Sequence, residues 1–264
     1  MKRYHSYLFS SICIFLLMFS NARAQTNYFT SFDGVEITYS DEGFGKPVLL
    51  LHGFINSRTS WDKTPLKSQL LKKGYRVIVP DLRGNGDSGK PQTEESYAND
   101  AEVNDIKLLM SHLNSKEFYA IGYSRGSIVL AKLMTKEPRI KKAVLGGMGI
   151  DFTDPNWDRR IMFMKAFDGE VTEETKGAVA YAKSVGADLR SLHLQQKYQP
   201  VTSIEELGAI KAKILVIAGD KDLENGNPEL LHKAFGKSKL IIVLGDHNRT
   251  YKTEAFSKAI LNFL

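Results

Sequence analysis

The chain has 264 residues, 42% of them hydrophobic and 25% charged, the make-up of one large globular domain or one domain with an insertion. That length can bury a core without disulfides or a structural metal, and the composition excludes whole-chain disorder, collagen-like repeats and coiled coil. The formal charge of +6 points at first to an anionic partner, a reading that weakens once the N-terminus is taken into account.

Lys2 and Arg3 open the chain with no acid nearby. Residues 8–19 follow as an apolar run broken only by Ser10 and Ser11, and Ala22-Arg23-Ala24 then supplies the small-residue site that a signal peptidase cuts. Residues 1–24 are expected to be a cleaved export signal, leaving residues 25–264 as a periplasmic or extracellular domain. Twelve helical residues reach about 18 Å against a hydrocarbon core of about 30 Å, so no stable membrane span is expected after cleavage. Cleavage removes Lys2, Arg3 and Arg23 and no acid, which lowers the charge to +3. With no basic run or RNA-binding signature, nucleic acid is not an expected partner. Cys13, the one cysteine, lies inside the apolar run; a mature chain without cysteine suits an oxidising compartment and has no thiol chemistry.

Residues 28–32 and 35–41 read as two strands joined by an Asp33-Gly34 turn. Residues 48–51 are wholly apolar, as in a strand buried on both faces. A helix is predicted over 60–73, stopped by Gly74, and a strand over 76–79, ended by Pro80. Residues 100–113 carry Val103, Ile106, Met110 and Leu113 on one helical stripe. A strand over 118–122, an apolar helix over 126–135 and a strand over 142–145 follow. Residues 147–211 hold no strong buried strand. A structureless loop of that length is improbable in a compact domain, so one returning helix plus a small helical insertion is expected, about residues 151–205. Its first third is crowded with Trp157, Ile161, Met162, Phe163, Met164 and Phe167. Ser203 and Glu206 have the spacing of a capping box. Two further buried strands, 214–218 and 240–244, and a closing helix, 251–264, complete an α/β layer structure with a mostly parallel sheet and an antiparallel N-terminal edge.

Gly122-Tyr123-Ser124-Arg125-Gly126 matches G-x-S-x-G between a buried strand and a helix, where the pattern has physical meaning: a sharp turn lifts a nucleophilic serine above the sheet. The string alone is weak, since roughly one chain of this size in ten carries it by chance. The bland alternative is a serine capping a helix in a glycine-rich turn. A serine hydroxyl needs a base. His247 follows the last strand, at the end of the sheet where α/β proteins place their sites; His193, in the insertion, is the next candidate. His112 and His232 fall within helical patterns. The imidazole in turn needs a carboxylate, and Asp220 or Asp222, after the penultimate strand, can serve. The order Ser124, aspartate, His247 is that of α/β hydrolases. An oxyanion hole needs two backbone N–H groups: Arg125 gives one, and Phe54, in the loop after residues 48–51, the other. His52 is read as shaping that loop.

These residues together resemble the α/β-hydrolase superfamily. The resemblance rests on His52-Gly53-Phe54, on Asp81-Leu82-Arg83-Gly84-Asn85-Gly86-Asp87-Ser88, on the serine elbow, on Gly219-Asp220-Lys221-Asp222 and on His247. It implies a structural role for Asp81 and Arg83, favours Asp222 as the acid, and implies a cap over the site. Arg125 departs from the small or apolar residue common after the nucleophile; its side chain is read as a surface ion-pair partner, the alternative being attraction of an acidic substrate. The expectation is an exported serine hydrolase of small carboxylic esters that uses Ser124, Asp222 and His247 and needs no cofactor or metal. Cleavage of an amide, lactone or carbon–carbon bond, or a slow, ligand-sensing receptor on the same fold, are the alternatives.

Overall fold

The computed structural model describes residues 26–264; the expected export signal lies outside the described residues. Strands β1 (Thr26–Thr30) and β2 (Glu36–Glu42) form the antiparallel edge, closed by a turn in which Ser31 N–H donates to the Val35 carbonyl at 2.8 Å. The remaining strands are β3 (Pro47–Leu51), β4 (Arg76–Pro80), β5 (Phe118–Tyr123), β6 (Ile140–Gly146), β7 (Lys213–Gly219) and β8 (Ser238–Val243). The sheet order is β1-β2-β4-β3-β5-β6-β7-β8, with every pair from β4 onward parallel.

The apolar runs follow from helices on both faces. In β3, Val48 and Leu50 face one core cluster and Leu49 and Leu51 the other, as the two-residue period of a strand requires. Helices α1 (Pro65–Lys72) and α9 (Glu254–Phe263) cover one face. Helices α2 (Ala101–His112), α3 (Arg125–Lys136) and α8 (Pro228–Ala234) cover the other.

Several elements differ from the sequence reading. The helix expected over 60–73 is a 3₁₀ turn, Arg58–Lys63, followed by α1, because Pro65 holds Thr64 in an extended conformation (φ −117°, ψ 147°). The closing helix is broken in the same way: Thr253 ends a short 3₁₀ turn and caps α9 through the Phe256 N–H. Strand β8 is a sheet edge and not a buried strand. Ile241 and Val243 turn inward while Ile242 and Leu244 are exposed.

Between β6 and β7 lie helices α4 (Asp158–Phe167), α5 (Lys176–Ser184), α6 (Leu189–Lys197) and α7 (Ile204–Ala209), more helix than one return and a small insertion. Helices α4 to α6 share a separate core of Ala166, Phe167, Val179, Ala182 and Leu192. Helix α7 starts with the expected capping box of Ser203 and Glu206, and Glu206 ties it to α3 through Lys132 at 2.7 Å.

Candidate active site

Ser124 stands between β5 and α3 with φ 53° and ψ −126°, a conformation that costs a non-glycine residue on the order of 1–3 kcal/mol and survives only where its surroundings hold it. Here they do: Ser124 N–H donates to the Gly146 carbonyl, and the Ser124 carbonyl accepts from Ser127 N–H, each at 2.8 Å. The flanking glycines serve close approach. A Cβ on Gly122 would overlap the Gly126 carbonyl, and one on Gly126 would overlap the Leu51 and His52 carbonyls. The Ser124 side chain makes no capping bond to the helix. Its Oγ lies 2.9 Å from His247 Nε2.

His247 Nδ1 lies 2.9 Å from Asp222 Oδ2, and the Asp222 side chain is buried. A carboxylate there fixes the proton on Nδ1 and leaves Nε2 free to accept from the serine. A turn brings Asp222, and not Asp220, against His247. Asp222 N–H donates to the Gly219 carbonyl at 3.1 Å, so the loop is not extended and the two aspartates do not share a face. Asp220 accepts the Gly245 N–H at 2.8 Å and holds the loop that carries His247.

Two supporting residues were not singled out in the sequence. The Tyr123 hydroxyl donates to the His247 carbonyl at 2.7 Å and so fastens the histidine loop to the elbow. Asn225 Nδ2 lies 3.4 Å from Asp222 Oδ1, to which it donates, and 3.0 Å from His247 Nδ1. Its place three residues after Asp222 is the one signal that could have pointed to it.

On the other side of Ser124, the loop after β3 brings Gly53 against the serine. His52 is fully buried; its Nδ1–H donates to the Gly53 carbonyl at 2.8 Å and its Nε2 accepts the Leu82 N–H at 3.0 Å. Burial pushes its pKa below the ordinary histidine value, so it is a neutral strut for the loop. Neither Phe54 N–H nor Arg125 N–H donates to an acceptor among the described residues, and Arg125 opens α3, where free N–H groups and the helix dipole favour negative charge. The Phe54 ring packs on Phe163 and Phe167 at centroid distances of 5.9 and 5.4 Å and thereby anchors the loop to α4.

Asp81 is fully buried and accepts from Arg58 and from Asp87 N–H. Fully buried Arg83 bridges Asp33 and Asp105. Both residues brace the fold. His193 turns away from the serine, its Nδ1 2.9 Å from the Met164 carbonyl. The Arg125 side chain is indeed ion-paired, but not at the surface: it meets Glu102 from α2 with both groups buried and also donates to the Gln195 carbonyl of α6 at 3.1 Å. Burial of the pair follows from α6 lying over it. Among the described residues no cluster of three or more His, Cys, Asp or Glu side chains is placed to hold a metal ion.

Ser124 and His247 open into a cleft of about 730 Å³, roofed by Trp157, Phe163, Tyr181 and Gln196 from the α4 to α6 layer. The aromatic cluster of the sequence divides here: Trp157 and Phe163 line the cleft, while Phe167 packs the interior of the layer.

A serine on a strained strand-to-helix turn, a histidine after the last strand and a buried aspartate after the one before it define a class of protein. The family model described as the alpha/beta hydrolase fold matches residues 46–161. The chain has the α/β-hydrolase fold. It is 34% identical over 122 residues to a non-heme haloperoxidase of Rhodococcus erythropolis, covering 46% of this chain and 43% of that protein. It is 27% identical over 167 residues to 2-hydroxymuconate semialdehyde hydrolase of Pseudomonas sp. (strain CF600), covering 58% and 59%. The chain thus spans less than two thirds of the length of these curated relatives. Among solved structures, a thermophilic esterase of Thermogutta terrifontis superposes with a TM-score of 0.73 at 22% identity over 91% of this chain and 98% of that one, a likeness of fold.

Proposed function

We propose that the protein is an exported serine hydrolase that cleaves small carboxylic esters through an acyl-enzyme. The observation that carries the reading is the unbroken relay from Asp222 through His247 to Ser124, each step 2.9 Å. Ser124 Oγ attacks the ester carbonyl carbon as His247 Nε2 takes its proton. The oxyanion is held by the Phe54 and Arg125 N–H groups. As the tetrahedral intermediate collapses, the carbon–oxygen bond to the alcohol breaks and His247 returns the proton to the leaving oxygen. Water, deprotonated by His247, then attacks the acyl carbon and releases the acid and the free serine. The protein's own groups supply every step.

Export rests on the basic, apolar and small-residue pattern of residues 1–24, and the proposed location is periplasmic or extracellular. Similarity to a hydrolase whose named substrate is not an ester favours a second reading, in which the same relay cleaves another bond. Steady-state turnover of 4-nitrophenyl acyl esters of graded length, by the wild type and Ser124→Ala, tests the proposal. Turnover of at least one ester that is lost in Ser124→Ala supports it. No turnover of any ester by a folded wild type overturns the ester assignment.

A further inference from the structure

The cleft above Ser124 is lined by Lys63, Lys90, Arg125, Arg159, Arg160 and Lys252 and by no aspartate or glutamate. Most of these charges have partners. Arg125 is paired with Glu102, and Arg159 with Glu224 at 3.0 Å. Lys90 donates to the Gly86 and Ser88 carbonyls. Lys63 and Lys252 are exposed at the rim, where water solvates them.

Arg160 is different. It is partly buried on α4, and its guanidinium donates only to carbonyl oxygens: Nε to Gln196 at 2.8 Å, Nη1 to Pro155 at 2.9 Å and Nη2 to Lys197 at 2.6 Å. Two of these carbonyls close α6, whose C-terminal end carries a partial negative charge of about half a unit. That end also receives Arg125 through the Gln195 carbonyl. Half a unit does not neutralise a full guanidinium, and no carboxylate pairs with Arg160 among the described residues. Burial and the nearby Arg125 charge both press the Arg160 pKa downward, the mark of a cation that lacks a counter-charge. An arginine does not escape that penalty by losing its proton. Three carbonyls fix the plane of its fork, and two of its five N–H bonds remain without an acceptor among the described residues.

Gln199 N–H shares the Gln196 carbonyl with Arg160 Nε. Gln199 lines the same cleft, is 95% buried at 5% exposure, and its Nε2 has no hydrogen-bond partner. A buried amide donor without an acceptor costs on the order of 1–3 kcal/mol unless something fills the place. The fixed guanidinium edge is a planar donor that fits one carboxylate, whereas Gln199 Nε2 is closed to the cleft and does not face it as an open donor.

Resting on the hydrolase reading above, we infer that the substrate bears a free carboxylate, held by Arg160 under the roof of the cleft while its ester carbonyl sits at Ser124. The substrate class is then the half-ester of a dicarboxylic acid, and the rim lysines raise its encounter rate.

Mono-4-nitrophenyl glutarate and 4-nitrophenyl valerate carry the same five-carbon acyl chain, ended by a carboxylate in one and a methyl in the other. The wild type is expected to show a kcat/KM for the glutarate ester at least tenfold above that for the valerate ester at low salt, the advantage shrinking as NaCl is raised. In Arg160→Gln the ratio is expected to fall to about one; Arg160→Lys, which keeps the charge but loses the fork, should restore part of it. Should Arg160→Gln not fold because α6 loses its cap, wild-type hydrolysis of the valerate ester in the presence of free glutarate replaces it. Competitive inhibition that weakens with salt supports the inference, and no inhibition overturns it. A wild-type ratio of one or below, with valerate turned over, overturns the carboxylate site and leaves the hydrolase intact. Turnover of neither ester, with Ser124 unreactive, removes both.

Discussion

The replacement of Asp222 by asparagine isolates the part played by its charge. The carboxylate is buried, accepts from His247 Nδ1 at 2.9 Å, and is itself fixed by Asn225. Asparagine has nearly the same shape but presents an NH₂ where the acceptor was. The imidazole can meet it only by moving its proton to Nε2, and Nε2–H cannot accept the Ser124 proton across the 2.9 Å contact. A triad held in the wrong tautomer loses roughly 10⁴-fold in turnover, about 5.4 kcal/mol in barrier height. The fold has little reason to change, since volume and packing are conserved. Asp220→Ala is the control: it removes the acceptor for Gly245 N–H but leaves the relay whole. Its expected cost is a melting temperature lower by about 2–4 °C with kcat within a few-fold of wild type. Paired measurements of ester turnover and Tm decide the matter. A collapse of kcat in Asp220→Ala with near-normal rates in Asp222→Asn would refute the assignment of the acid.

Gly126→Ala is expected to prevent folding, because its Cβ would enter the Leu51 and His52 carbonyls; Gly177→Ala, in α5 with open space around it, should instead gain about 0.5–1 kcal/mol, both read by thermal melting. Glu102→Ala leaves the Arg125 guanidinium buried without a counter-charge and should cost about 3–5 kcal/mol in chemical denaturation, part of it recovered when Arg125→Met is added. For His52 the folded-state pKa lies below that of the unfolded chain, so the unfolded state takes up the proton first as the solution is acidified. The stability it contributes is full above the unfolded pKa of about 6.5 and is lost as pH falls below it, by up to about 1.4 kcal/mol per pH unit. His52→Gln should flatten this slope between pH 7 and 5, and an unchanged slope would show that His52 takes up its proton as readily in the folded as in the unfolded chain.

Much of this arrangement was legible from the residues because the relevant signals are local. The apolar tetrad of β3, the glycines about Ser124 and the placing of His247 after a strand each depend on a few adjacent positions. Pro65 and Thr253 are local signals that break the helices expected over 60–73 and 251–264. What stayed hidden depends on distant partners. Arg125 is buried because α6 covers it and Glu102 of α2 meets it, and neither is visible from a surface-typical residue type. The apolar run at 240–244 looks buried, yet it ends the sheet, where Leu240 still packs on the core while Ile242 and Leu244, on the same face, are left uncovered. Helix α8 is only seven residues long, Pro228–Ala234, too short to show a period. The turn that separates Asp220 from Asp222 is set by a hydrogen bond back to Gly219, which the alternation of an extended chain does not foretell. Asn225 and Tyr123 gain their roles only once the two loops meet.

On this mechanism the Ser124 hydroxyl is an activated nucleophile. A fluorophosphonate tests it directly, because a serine oxygen reacts when a base withdraws its proton and an oxyanion hole accepts the developing charge. Intact-mass and peptide mass spectrometry of the full-length protein after brief exposure should show a single adduct on the peptide containing Ser124. The adduct should be absent from Ser124→Ala and strongly slowed in His247→Ala. An adduct on another residue, or equal labelling of wild type and Ser124→Ala, would contradict it.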